Sequence, residues 1–216
     1  MSLITVTPDK SELMGARDLS QNIIQDLMKA DLLNVVGIGN SIMLTIAAVD
    51  VSRSIANVNI QSISLDYTPL TSTYAPEAIF FELSKKPAAP VKAIEEFEAQ
   101  QDREAFVRTI GVRRGDRVET VTNLILWRLN KFDKVKVMAS GFAIIIAAKS
   151  TLQVVKSGIA REQVGISAIA IDSIERRQGP DPSAKRVPAI QIYLEKGKQT
   201  EYPANHAEII QKVTQR

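Results

Sequence analysis

Residues 134–149 read KVKVMASGFAIIIAAK, a segment that changes from one secondary structure to another within a few positions. Alternating apolar residues over 134–139 predict a β-strand, and the apolar run that starts at position 142 predicts a helix to about position 157. This helix is apolar around more of its circumference than one sheet face requires, because residues 144–146 are all isoleucine. A strand followed by such a helix is the unit from which the fold is predicted.

An earlier segment has the same order, with a strand over 33–38 and a helix over 41–56, and the chain contains an internal repeat. The offset between matching residues grows from 100 to 111, which gives the second copy longer connections and five extra residues in its last hairpin. The matches are Gly15 with Gly115, Arg17 with Arg117, IAA (46–48) with IAA (146–148), IQSISLD (60–66) with ISAIAID (166–172), and AIFFELSKK (78–86) with AIQIYLEKG (189–197).

Each copy is predicted to have the element order βαβαββ. Parallel strands joined through helices require right-handed crossovers, so each copy should form a mixed four-stranded sheet with two helices on one face, an α+β fold. We predict domains over 1–86 and 103–198, a helix-prone linker over 87–102 and a C-terminal tail helix over 199–216. The predicted elements are strands 3–8, 33–38, 60–67 and 78–84 with helices 11–30 and 41–56 in the first copy, and strands 105–110, 134–139, 164–174 and 187–195 with helices 116–130 and 142–157 in the second.

The net charge of +3 conceals a strong asymmetry between the two halves. Residues 1–84 contain four Lys and Arg against nine Asp and Glu, a net charge of −5, and residues 85–102 have a net charge of −1. Residues 103–216 contain 20 basic against 11 acidic residues, a net charge of +9. A basic surface concentrates phosphates around it, so this asymmetry predicts a polyanionic partner for the second half only.

Three arginines cluster at the start of the predicted helix 116–130, namely Arg113, Arg114 and Arg117. Unsatisfied amide groups and the positive end of the helix dipole favour an anion at such a position. Guanidinium groups bind phosphate oxygens in pairs, which suits a nucleic-acid backbone. A solvated first helical turn without a ligand is the alternative interpretation.

A second basic cluster lies in the hairpin IERRQGPDPSAKRVPAI (174–190). Its two prolines restrict the loop and favour a projecting arm, which could follow a nucleic-acid groove. A solvated hairpin tip is again the alternative. The basic residues, which flank the turn Gly179-Pro180-Asp181-Pro182, are Arg176, Arg177, Lys185 and Arg186.

The second copy resembles the Alba domain, an archaeal chromatin and RNA-binding fold that also occurs in some ribonuclease P and ribonuclease MRP subunits. The resemblance rests on IGVRRGDRVETVTNLILWRL (110–129), on residues 134–149 and on the basic hairpin, and it covers nearly all of 103–198. It implies that Arg113 and Arg114 form the family's basic pair and that Gly141 opens the second helix. Ser140 stands where the family often has an arginine, and it is grouped with Gly141 among the nucleic-acid-binding residues.

The first copy resembles the fold but lacks the basic chemistry. Its corner GIGNS (37–41) keeps the shape, whereas its hairpin DYTPLTSTYAPEA (66–78) contains no Lys or Arg. Alba-like domains pair through the second helix, so the resemblance implies that the two copies pack as a pseudo-dimer within the chain. The alternatives are ordinary core helices and an interface between chains, which would make a homo-oligomer.

Several classes of function are not expected from this sequence. The absence of cysteine excludes disulfides, thiol nucleophiles and cysteine-ligated zinc, and we expect no cofactor, metal or membrane partner. No phosphate-cradling glycine motif is present, so we do not expect an enzyme. The single histidine, His206, is interpreted as incidental. Trp127 and Phe106 are the aromatic candidates for base stacking, although Trp127 is interpreted as a core or interface residue.

The function predicted from these features is binding of DNA or RNA, largely through the phosphate backbone and without sequence preference. We expect a cytoplasmic protein associated with the nucleoid or with RNA, and a further protein partner could dock on the acidic first domain. The alternative is a protein-interaction scaffold in a ribonucleoprotein or chromatin assembly.

Overall fold

The computed structural model describes residues 2–68, 76–99, 103–159, 162–176 and 185–215, and the chain divides into two compact units. The first unit comprises Met1–Ala89 together with Tyr202–Arg216, and the second comprises Pro90–Glu201. The second unit is therefore a continuous stretch of chain, whereas the first consists of two stretches separated by the whole second unit.

The first unit contains a four-stranded mixed sheet. Its strands have the order β1-β2-β4-β3, with β1 and β2 parallel and the other neighbours antiparallel. The predicted helix 11–30 is divided in two, because Gly15 adopts an extended conformation and its N–H donates to Asp18 Oδ2 at 3.1 Å. The elements are β1 (Ser2–Val6), α1 (Pro8–Leu13), α2 (Ala16–Lys29), β2 (Leu32–Ile38), a short 3-10 turn (Gly39–Ser41), α3 (Ile42–Ile55), β3 (Asn59–Tyr67) and β4 (Glu77–Ser84).

The second unit contains a sheet of the same kind, in the order β5-β6-β8-β7, with β5 and β6 parallel and the other neighbours antiparallel. The predicted α+β class with two four-stranded mixed sheets is thus confirmed. The elements are α4 (Lys92–Ala99), α5 (Arg103–Arg108), β5 (Thr109–Val112), α6 (Val118–Leu129), β6 (Lys134–Ser140), α7 (Ala143–Ser157), β7 (Val164–Arg176) and β8 (Lys185–Lys196).

The predicted strand over 105–110 is wrong, because most of that segment is the helix α5 and the strand begins at Thr109. Residues of this helix contact residues outside the segment 105–110. Arg128 donates a hydrogen bond to the carbonyl of Val107, and the guanidinium of Arg108 lies 5.4 Å from the ring centre of Phe97. The helix thus makes contacts with residues distant in sequence that its local residue pattern does not reveal.

The two units share the same register as well as the same strand order. Leu32 pairs with Ser84 in the first sheet as Lys134 pairs with Glu195 in the second. The register shifts between Ile60 and Ser62 in β3 and between Ile166 and Ala168 in β7, which are 106 positions apart. The buried positions of α3 also recur in α7 at an offset of 102; they are Ile42, Thr45, Ile46, Ala48, Val49 and Ser52 in α3 and Ile144, Ala147, Ala148, Ser150, Thr151 and Val154 in α7.

The structural equivalence of the two units corrects two of the residue matches made from the sequence repeat. The helix cap Gly15 corresponds to the helix cap Arg117, and not to Gly115. Ile46 corresponds to Ala148, and not to Ile146. The two IAA segments were matched two residues out of register because Ile and Ala recur at many positions in apolar helices, so identical residues there do not mark equivalent burial.

Each sheet is covered on both faces. Helix α3 approaches β2 so closely that a Cβ on Gly37 would lie 2.2 Å from Thr45 Oγ1, which leaves no room for a side chain. On the opposite face, strand residues Val36 and Phe80 pack against the C-terminal helix α8 (His206–Thr214). The predicted tail helix therefore covers the face of the first sheet that lies opposite α3.

The second sheet is covered in the same way by α4, which lies within the predicted linker 87–102. The spacing of Ala93, Ile94 and Phe97 gives this short helix one apolar face. Phe97 is 3% exposed and packs edge-on against Tyr193, with ring centres 5.2 Å apart. The strand neighbour of Tyr193, Lys136, bonds to Glu98 of the helix at 2.7 Å. Helix α4 is thus part of the second unit.

The docking of α4 can be tested by replacing Phe97 with Ala. Because the ring is buried against the sheet, F97A should lower the free energy of unfolding by about 3 kcal/mol, measured by urea denaturation. The exposed Val91, which precedes the same helix, supplies the control V91A, which should change stability by less than about 0.5 kcal/mol. A change as small in F97A as in V91A would mean that 92–99 is only a linker.

The contact of Glu98 with Lys136 predicts a dependence on pH. The hydrogen bond from Lys136, and then that from Tyr193 at 3.0 Å, hold the pKa of Glu98 below its ordinary value of 4.5. A carboxyl group whose pKa is lower in the folded than in the unfolded protein stabilises the fold at higher pH. This stabilisation is lost as the pH falls through the pKa of the folded state. E98Q should therefore be less stable than the parent at pH 7, by about 0.5 kcal/mol given the exposure of the pair, and equally stable in strong acid. Urea denaturation across pH, with E95Q on the same helix as the control, measures both differences; equal behaviour of the two variants at neutral pH would contradict the prediction.

Candidate nucleic-acid interface

The topology of the second sheet brings three separate segments to one of its ends. Because β5 and β6 are parallel, the turns that follow them leave the sheet at the same end. Strand β8 is antiparallel to β6 and β7 is antiparallel to β8, so the hairpin between β7 and β8 lies at this end too. We call this region the basic end and define it by Arg113, Arg114, Arg117, Gly141 and Arg186.

The first segment is the turn that joins β5 to α6. Asp116 Oδ2 accepts the N–H of Arg113 at 2.7 Å, and the carbonyl of Arg113 accepts the N–H of Asp116 at 3.1 Å. All three arginines of the turn, including Arg114 and Arg117, are exposed, and Arg117 is the cap residue of α6. The turn therefore holds three guanidinium groups in solvent around a helix N-terminus.

The second segment is the corner between β6 and α7. Gly141 has φ of +57°, a left-handed conformation that favours glycine, and its equivalent in the first unit, Gly39, has φ of +56°. The N–H of Gly141 donates to the carbonyl of Pro188 at 2.9 Å, which ties the corner to the base of the hairpin. Ser140, half-buried at the end of β6, pairs with Ala189 in the same ladder.

A residue that sequence reasoning missed joins these two segments. The guanidinium of Arg114 lies 4.9 Å from the ring centre of Phe142, directly after Gly141. Phe142 is 56% exposed, which is unusual for an aromatic residue beside a sheet. The signal for it in the sequence was an apolar residue at the first position of a helix, ahead of the apolar stripe that enters the core.

The third segment is the arm formed by β7 and β8. The last pair that β6 makes with β8 is Ser140 with Ala189, and the ladder of β7 and β8 continues for four further pairs, ending at Arg176 and Lys185. At about 3.3 Å per residue, the arm extends roughly 13 Å beyond the neighbouring strand. In the described part of the first unit, the ladder passes the last pair of β2 by one pair only, Tyr67 with Glu77.

The structure describes the side chain of only one of the four basic residues predicted for the arm. Arg186 is exposed, with Glu175 directly opposite in the ladder. The backbones of Arg176 and Lys185 are paired, but their side chains lie outside what the structure describes. Arg177 and the turn Gly179-Pro180-Asp181-Pro182 also lie outside the described residues.

The other two aromatic candidates lie at the opposite end of the second sheet. Phe106 is in α5, before the start of β5, and is 88% exposed. Trp127 is near the C-terminus of α6 and is 48% exposed, with Lys131 Nζ 4.1 Å from its ring centre. Trp127 is therefore not a core residue, and neither ring belongs to the basic end.

His206 has a structural role in the first unit, where its buried ring contacts Asp66 and Tyr202. Its Nε2 lies 3.1 Å from Asp66 Oδ2, and its ring stacks on Tyr202 with centres 4.3 Å apart. Burial and the charge of Asp66 raise the pKa of Tyr202 to about 12. The sequence could not reveal the pair, since its members are 140 residues apart. The contact with Asp66 of β3 fastens the start of α8 to the sheet.

Two features of general interest are absent from the described ranges. They contain no group of three or more His, Asp or Glu side chains that could hold a metal ion. They also contain no helix long and apolar enough to cross a bilayer.

No protein-family model matches the sequence, and neither does any of the curated proteins with which it was compared.

The left-handed corner predicts a measurable cost for G141A. An alanine there would have a strained φ, and its Cβ would lie 3.3 Å from Val187 Cγ1, so the variant should lose about 1–2 kcal/mol of stability in urea denaturation. Gly115 supplies the matched control, because its φ is not positive and a Cβ there would meet no described atom within 4 Å. Equal stability of G141A and G115A would contradict the assigned geometry of the corner.

Proposed function

We propose that the protein binds nucleic acid through the basic end of the second unit, chiefly by contacts with the phosphate backbone. The observation that carries the proposal is the convergence of Arg113, Arg114, Arg117 and Arg186, from two distant segments, at one end of a sheet. Ligands of open sheets commonly bind outside the carboxyl ends of parallel strands, which is where Arg113 follows β5.

The charges of this end favour a polyanion. Residues 112–119 and 173–187 together contain seven Lys and Arg against four Asp and Glu. The carboxylate of Asp116 accepts a backbone N–H within the turn, so it shapes the turn that presents the arginines. The corresponding hairpin of the first unit, 66–78, has no basic residue, so binding should involve one unit and not the other.

The arrangement suits backbone binding more than base reading. Arginine forks match phosphate oxygens, and an arm projecting roughly 13 Å could follow a groove. Neither DNA nor RNA is favoured by phosphate contacts alone, because both backbones offer them. Association with the nucleoid or with cellular RNA is the location that follows from this proposal.

The resemblance to Alba domains supports the same function. The resemblance rests on the order βαβαββ, on the arginine pair 113–114 and on Gly141 at the start of the second helix, and these features support the proposal. Pairing of the two units as a pseudo-dimer, and further assembly of chains, remain part of this proposal. The pseudo-dimer would give each chain one basic arm and one arm without basic residues.

A second candidate function is a protein-interaction scaffold within a ribonucleoprotein or chromatin assembly. The observation that favours it is the exposure of Phe106 and Trp127 at the end of the second sheet opposite the basic end. Exposed aromatic residues are typical of protein interfaces. A scaffold of this kind would need no affinity for free nucleic acid, and the acidic first unit could dock the further protein partner.

The test replaces the four arginines with described side chains, giving R113A/R114A/R117A/R186A. Each phosphate contact contributes about 0.9 to the slope of log affinity against log salt on duplex DNA, so the variant should lose about 3 to 4 from that slope and bind far more weakly at low salt. Electrophoretic mobility shift with a DNA duplex and an RNA strand at several salt concentrations measures both effects.

The control has the same loss of charge at exposed positions outside the basic end, namely Lys85, Lys86, Lys92 and Lys131, each changed to Ala. It should keep most of the parent's affinity, and both variants should melt within a few degrees of the parent. Failure of the parent to shift any nucleic acid at low salt would contradict the proposal and favour the scaffold.

A further inference from the structure

We propose that Phe142, with Arg114 beside it, is a stacking platform for an unpaired nucleobase, so that the protein prefers single-stranded or unpaired nucleic acid to a closed duplex. This inference rests on the proposed function and specifies its ligand. It concerns one side chain that backbone binding does not require.

The position of the ring is the first argument. Phe142 is 56% exposed, whereas Ala143 and Ile144, the next two residues, are buried. The left-handed turn at Gly141 and its hydrogen bond to Pro188 fix the backbone that presents the ring. An exposed aromatic group on a fixed backbone loses little conformational entropy when a ligand stacks on it.

The neighbour of the ring is the second argument. The guanidinium of Arg114 lies 4.9 Å from the ring centre, so a planar cation and a planar apolar surface are presented together. Proteins that bind single strands combine these two elements, since the cation attracts the backbone and the ring stacks on a base. Every base has a π-face, so such a platform accepts any sequence.

The first unit gives an internal comparison. At the offset of 102 that relates the two corners, the residue equivalent to Phe142 is Asn40, which is exposed but has no ring. Phe142 at the corner and Arg117 at the cap of α6 thus occur together at one end of the second unit, whereas the first unit has Asn40 and Gly15 at the two equivalent positions. If the fold required an apolar residue at this corner, the first unit would have one there too.

A closed duplex cannot use this platform. Its bases are stacked on one another, and exposing one requires that it be unstacked and unpaired. Phosphate contacts would still be available to a duplex, so the ring should affect only the affinity for unpaired nucleotides.

The experiment compares three Phe142 variants on a short mixed-sequence DNA strand, the RNA of the same sequence, and the blunt duplex that the DNA forms with its complement. F142L and F142A should weaken binding of both single strands at least about fivefold and leave duplex binding unchanged, and F142Y should keep the parent's affinity. A strand containing an adenine analogue whose fluorescence is quenched by stacking should be quenched by the parent and F142Y, and not by F142L. The matched control is F106L, an exposed phenylalanine at the opposite end of the sheet, which should behave as the parent.

The outcomes separate this inference from the proposed function. Failure of the parent to bind any of the three probes would overturn both. Binding of all probes by the parent with no change in F142L would overturn the platform and keep backbone binding. An equal loss of single-strand and duplex affinity in F142L would also overturn the platform, because it would show that the ring only positions Arg114. An effect on one of the two single strands alone would limit the platform to that sugar and support it there.

Discussion

The parallel pairing of β5 with β6 is the constraint on which the basic end depends. The turns that follow two parallel strands leave the sheet at the same end, so Arg114 after β5 and Phe142 after β6 meet although α6, a loop and β6 separate them in sequence. The antiparallel partner β8 then adds the base of the arm, where the carbonyl of Pro188 receives the N–H of Gly141. Charge alone would not have gathered these groups, because like charges repel. Backbone pairing fixes their positions, and the cost of their repulsion is low because all of them are exposed.

Much of the fold could be predicted from sequence because its signals are local. Alternation in residues 134–139 and the apolar run of α7 determined a strand and a helix without knowledge of the rest of the chain. Helix α4 could not be assigned to the second unit in this way. Its acidic residues suggest a solvated linker, and the sheet residue that buries Phe97, Tyr193, lies almost a hundred positions later. The contact between Asp66 and His206 could not be predicted for the same reason, since only tertiary structure brings the two side chains together.

In the candidate site too, features with a local sequence signal could be predicted and features that depend on tertiary structure could not. Runs of arginine are visible in any sequence, and their place beside a helix start or in a hairpin follows from the element order. The exposure of Phe142 was not visible, because periodicity assigns an apolar residue at the start of an apolar helix to the core. Its real environment depends on the angle at which the chain leaves the left-handed Gly141. Trp127 shows the same error, since an apolar helical run suggested burial for a ring that lies at the surface beside the cationic side chains of Arg128 and Lys131.

The C-terminal helix α8 has a consequence for the order in which the chain folds. Val36, Ile38 and Phe80 of the first sheet are covered by Ile209 and Val213, which are synthesised only after the whole second unit. During translation, the second unit is therefore complete while the first still exposes one apolar face of its sheet. The first unit therefore cannot be completed until α8 has left the ribosome, and until then its uncovered apolar face could bind a chaperone or a neighbouring chain.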